Sequence, residues 1–201
     1  MKKILAIVLA LTVVLVCFAA CGGKTNTDAN TNTDANTQET AAAVTYADAV
    51  EVLTKVFASY AEDKKFPIGG GDEANMSTEG PAKYDVALAE ELNVVAHLPA
   101  SQNANIAEAA NVMNMMNANS FTGAAYLLKD GVDAAAFAAD FKADLDTAQW
   151  MCGFPEKFVV IKTGSYIVTA YGLADNIDYF KSQATTALTA AEVVLEGNIA
   201  A

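Results

Sequence analysis

From Phe121 onward the chain alternates strand-like runs with helical periodicity, and that order limits the folds open to it. Phe121 to Leu128 reads as a strand and Asp130-Gly131 as a turn. Asp133 then caps a helix whose inward seam is Phe137, Phe141 and Leu145, spaced four apart. Trp150-Met151-Cys152-Gly153-Phe154-Pro155 breaks that helix. Phe158 to Lys162 and Ser165 to Tyr171 read as strands joined at Thr163-Gly164 in a short hairpin. Asp175 caps a last helix with Ile177, Phe180, Ala184, Leu188 and Ala191 facing in, and the tail from Gly197 is expected to fray. The expected fold class is α+β: N-terminal helices followed by a β-α-β-β-α unit with a small, mostly antiparallel, three-stranded sheet. The helices of this unit are expected on one face of the sheet.

The N-terminal half is less regular. Tyr46, Ala49, Val50, Leu53, Phe57 and Tyr60 recur at helical spacing, with Thr45 as the expected N-cap. Lys64 to Ala82, with Pro67, Gly69-Gly70-Gly71 and Gly80-Pro81, reads as a long loop, a length uncommon in compact domains unless functional or mobile. Tyr84 to Leu92 reads as a short helix, and Asn103 to Asn117 as another, with Ile106, Ala110, Met113 and Asn117 along one face.

Ahead of this lies a leader. Lys2 and Lys3 precede an apolar run from Ile4 to Ala20, relieved only by Thr12, that ends in small residues before Cys21. This pattern, MKKILAIVLALTVVLVCFAACGG, resembles a bacterial lipoprotein signal. The resemblance implies cleavage after residue 20 and a lipid on Cys21; Phe18 departs from the family, which more often has Leu, Val or Ile there. Lys24 to Ala43 carries the hexapeptide Thr-Asn-Thr-Asp-Ala-Asn twice and nothing to bury, so residues 21–43 read as a lipidated cysteine and disordered tether. Residues 44–201 are then a single globular domain, large enough for a core without staples.

The charge bounds the partners. The chain carries −12, contains no arginine, and reaches −14 once the two leader lysines are removed. Nucleic acid is excluded as a partner, since it calls for a basic footprint. An anionic membrane would repel this surface, so the lipid is what holds it there. Cys17 leaves with the leader and Cys21 takes the lipid, leaving Cys152 without an intramolecular disulfide partner.

Few residues suggest chemistry. His97 is the sole histidine, which rules out an HExxH or two-histidine metal site, and its apolar neighbours suit a core histidine with a satisfied ring. Cys152 lacks a CxxC partner and reads as a small buried residue, with a nucleophile or redox thiol as the alternative. Trp150 and Phe154 form either a corner plug or a stacking lip for a ligand. Met113, Met115 and Met116 are soft thioethers of the kind that bind Cu(I), but neighbouring positions on a helix point apart, so they read as core filling. Asn111, Asn114 and Asn117 would then share a helix face that could hydrogen-bond a sugar or peptide. The Gly70 triplet lacks the GK[ST] ending of a phosphate loop and the alternating acids of a calcium loop. Asp133, Asp140 and Asp144 read as a solvated helix face. No cofactor or metal is expected. The candidate ligand-binding residues are Trp150, Phe154, Asn114, Asn117 and Gly70.

The lipoprotein start, the Asn/Thr tether, Met115-Met116-Asn117-Ala118-Asn119-Ser120-Phe121-Thr122, the Trp150 to Pro155 segment and Gly164-Ser165-Tyr166 together resemble a group of uncharacterised lipoproteins of gut Firmicutes. That resemblance implies the outer face of a Gram-positive cell membrane and brings no activity. The expected role is binding or accessory, toward a surface protein, peptide or glycan. An extracytoplasmic enzyme and the solute-binding component of a transporter are the alternatives, the latter disfavoured because such proteins usually need two lobes.

Overall fold

The computed structural model describes residues 45–116, 118–151 and 153–200. Cys21, the tether, Asn117 and Cys152 therefore lie outside the described residues. The elements are α1 (Ala49–Ala58), β1 (Ile68–Gly69), β2 (Ala82–Tyr84), α2 (Ala89–Val95), β3 (Ile106–Asn114), β4 (Phe121–Leu128), α3 (Ala134–Thr147), β5 (Lys157–Thr163), β6 (Tyr166–Gly172), α4 (Ala174–Ala187) and β7 (Glu192–Asn198). The protein is α+β, but its sheet has seven strands, not three, in the order β1-β3-β4-β6-β5-β7, with β2 also on β3. Every pairing is antiparallel.

Both sheet faces are covered. On one, Val52, Leu53 and Val56 of α1 and Ile177, Phe180 and Ala184 of α4 pack on Val112, Phe121, Ala125, Val159, Ile161 and Val168. On the other, Leu92 of α2 and Phe137, Phe141 and Leu145 of α3 pack on Tyr126, Phe158, Val160, Ile167 and Tyr171. Central strands buried on both sides lose polar alternation and become near-continuous apolar runs, as Phe158-Val159-Val160-Ile161 does.

The topology explains the two layers. The crossovers β4-α3-β5 and β6-α4-β7 each skip one strand in the same direction across the sheet. Because β4 and β6 run antiparallel, crossovers of one hand must leave on opposite faces. The expectation of helices on one face is thus corrected: α3 and α4 lie on opposite sides.

Other expectations change as well. The helix expected over Asn103 to Asn117 is strand β3, held between β4 and the β1 and β2 edge. The last helix, expected to run through Ala191, ends at Ala187, and β7 follows it and pairs with β5 from Lys157 to Lys162, so that Gly197 and Asn198, expected to begin a frayed tail, are held in the sheet. Residues 64–82 contain β1, the start of β2 and a bridge between Gly70 and Ser77. Tyr84 ends β2, and α2 starts only at Ala89 after a 3-10 turn over Val86–Leu88. Helix α1 is capped by Asp48, whose carboxylate accepts from Glu51 N at 2.8 Å, rather than by Thr45. Helix α4 is capped from a distance, its first N–H, Ala174 N, donating to the Glu156 carboxylate at 2.9 Å in place of an Asp175 cap. Strand β4, the Asp133 cap, the buried seam of α3 and the β5–β6 hairpin stand as expected.

Candidate functional site

The glycine segment is pinned to β3. Gly70 and Ser77 exchange backbone hydrogen bonds, and a Cβ on Gly70 would stand 2.2 Å from the Asn111 carbonyl oxygen. Gly71, at φ +94°, donates its N–H to Asn111 Oδ1 at 2.6 Å. Asp72 follows, buried, and accepts from the N–H groups of Ala74, Asn75 and Asp85 and from the Asn75 amide. Burial pushes its carboxyl up, but these donors outweigh it and hold the pKa below the usual carboxylate value. Gly70 thus serves close backbone approach.

The expected asparagine stripe does not exist, because residues 111 and 114 of a strand point to opposite faces. Asn114 is buried, its Oδ1 accepting from Met116 N at 2.8 Å.

With the segment pinned, its outer limbs leave a groove against α1. Thr54, Phe57 and Ala58 form one wall, Phe66, Pro67 and Ile68 a second, and the Ser77–Pro81 return closes it, enclosing about 530 Å³. Its inner end is aromatic: Phe57 lies 5.8 Å and Phe66 5.5 Å from Phe121, centroid to centroid. Lys65 and Glu79 are the charged groups at the rim, and Lys65 is already paired with Glu62 at 2.5 Å. A volume in the small-ligand range, apolar walls and a few polar edges suit a bulky apolar group entering from solvent.

A second feature lies on the α2/α3 face. His97 follows α2 at φ +52°, a left-handed conformation that only a minority of non-glycine residues adopt. The turn lets Leu98 N reach the Leu92 carbonyl at 3.1 Å and aims the imidazole at α3, where Nδ1 meets Asp144 Oδ2 at 2.6 Å. Trp150 and Tyr171 flank the ring at centroid distances of 4.8 and 5.2 Å. Burial, foremost, pushes the Tyr171 hydroxyl up to about 12. The Trp150 indole N–H is buried without a partner among the described residues. Trp150 therefore plugs the corner, while Phe154, 69% exposed, stands out in solvent. Asp144 orients His97, and Asp140 accepts from Ser101 and Gln102, which together hold its carboxyl below the usual range. The acids of α3 thus tie it to the α2–β3 connection instead of forming one solvated face.

Neither site was visible as a unit in the sequence. Phe57 and Phe66 sit in different segments and meet edge to face only in the fold, with centroids 6.2 Å apart, and His97 and Asp144 are 47 residues apart. Among the described residues, no group of three or more His, Cys, Asp or Glu is placed to hold a metal, and no helix is long and apolar enough to cross a membrane. No protein-family model, curated protein or solved structure matches the chain.

Proposed function

We propose that the protein is a membrane-anchored extracytoplasmic lipoprotein whose domain binds an apolar ligand in the groove beside α1. The address rests on the leader and Cys21; the binding role rests on the groove lined by Phe57, Phe66, Pro67, Ile68 and Pro81. A peptide with bulky apolar side chains suits such walls better than a glycan, which needs more directed polar groups.

Two experiments separate the halves of this reading. Cys21→Ser is expected to release the protein from membranes or leave its leader uncleaved, as judged by fractionation and mass; unchanged attachment with normal cleavage would sink the anchor. Anilinonaphthalene sulfonate is expected to fluoresce on binding the chain and to lose most of that signal in Ala58→Trp, since Ala58 is an exposed groove residue and a large side chain there fills the space. Equal fluorescence in both proteins would place the apolar site elsewhere.

The His97–Asp144 pair favours a second reading, an extracytoplasmic enzyme, because an imidazole oriented by a carboxylate is suited to proton transfer. Turnover of ester or peptide substrates that disappears in His97→Gln would support it.

A further inference from the structure

The methionines of the β1–β3 edge make a different site. On a helix they would point apart, and in a core they would be shielded; neither holds. Met113 is the penultimate residue of β3 and pairs with Gly69. The ladder continues for one step, since Met115 N donates to the Pro67 carbonyl at 2.9 Å. Met113 and Met115, two residues apart on an extended chain, therefore share a side. Met115 lays its sulfur over Gly69: Sδ lies 2.8 Å from where a Gly69 Cβ would stand. The Ser77 carbonyl oxygen lies the same 2.8 Å from that point, and Met76 is the residue before Ser77. Met76, Met115 and Met116 are 75%, 51% and 58% exposed, so these three thioethers are not core filling, while Met113 is half-buried.

We propose that Met76, Met113 and Met115 bind a soft monovalent metal ion, Cu(I), around Gly69, with the Ser77 carbonyl at the edge of the site. Three features favour it. Thioethers select Cu(I) over the harder divalent ions. Flexible methionine side chains converge with little backbone strain, and the exposed ones need no core rearrangement to do so. The chain's net charge of −12 raises the local concentration of cations. The absence of a side chain at Gly69 is part of the design, because any Cβ there would occupy the position that Met115 Sδ crosses. Copper arrives already as Cu(I), so binding involves no electron transfer and displaces no proton from a thioether.

The test uses the full chain with its thiols blocked by N-ethylmaleimide, which removes Cys17, Cys21 and Cys152 as ligands. Under ascorbate without oxygen, a chromophoric Cu(I) chelator is titrated against wild type, Met76→Leu, Met113→Leu, Met115→Leu and Met151→Leu. Leucine conserves volume at each position, and circular dichroism verifies the fold. The thiol-blocked wild type is expected to withdraw about one copper per chain. Each variant of the cluster should bind more weakly by at least about tenfold, the scale on which even outer-shell changes weaken a metal site. Met151→Leu, outside the cluster, should match wild type. Affinity should also hold from about pH 7.5 to about pH 5, across the range where histidine titrates. Loss of all copper on thiol blocking, equal affinity in the cluster variants, or a steep fall in acid would each overturn the site.

Discussion

Phe180→Ala is expected to lower the unfolding free energy by about 3–5 kcal/mol, read from urea denaturation. Phe180 is fully buried on the inner side of α4, with centroids 5.4 Å from Phe121 and 6.1 Å from Phe57. Its removal leaves a cavity between two helices and the sheet, where collapse is resisted from three sides. Phe141→Ala on α3 is expected to cost as much, since it too is fully buried, 6.2 Å from Phe158 and 6.4 Å from Tyr171. The two phenylalanines belong to cores on opposite faces of the sheet, so their costs should add within about 0.5 kcal/mol. Their sum is comparable to the whole stability of a typical domain, about 5–15 kcal/mol, so the double variant should be substantially unfolded at room temperature. A double variant no weaker than either single one would refute the division into two cores.

The parts of this fold that were legible in the sequence are those whose signals are local. Asp133 and the four-residue spacing of Phe137, Phe141 and Leu145 specify α3 without reference to anything distant. The β5–β6 hairpin carries its own turn at Gly164, where φ is +59°. Strand β3 was not legible, because Ile106–Asn114 is buried on both faces and rich in alanine. Such a run has no alternation to display, and only its neighbours on both sides make it a strand. Strand β7 depends likewise on β5, some 35 residues earlier, and β1 has only two residues. The sites inherit this blindness. Once β3 is a strand, Asn111 and Asn114 part company, whereas Met113 and Met115 come together. Trp150 was legible as a corner plug from its place at the end of α3, but the imidazole it covers was not.

The apolar groove and the thioether cluster share one foundation, the segment from Lys65 to Pro81, and Asp72 holds that segment in shape. Its carboxylate accepts from Asp85 N at 2.7 Å, from Ala74 N and Asn75 N at 2.9 Å each, and from Asn75 Nδ2. It thereby joins the turn after β1 to the residue after β2. Asp72→Asn keeps the shape but discards the charge and turns one acceptor into a donor facing donors. A loss of about 2–4 kcal/mol is expected, the range for charge-assisted hydrogen bonds broken in a buried place. The effect should depend on pH in a definite sense. The carboxyl is held below the ordinary aspartate value of about 4, so its contribution is complete above that pH and disappears as pH falls through the lower value of the folded state. Wild type should therefore lose stability in acid more steeply than Asp72→Asn, and the two should converge as the pH falls below that lowered value. Glu51 and Asp140, whose carboxyls are also held low, are present in both proteins, so the difference between the curves reports Asp72. Parallel acid limbs would show that the carboxylate does not secure the segment. The same variant should weaken both dye fluorescence and Cu(I) binding, because Phe66, Ile68 and Met76 all depend on where this loop is held.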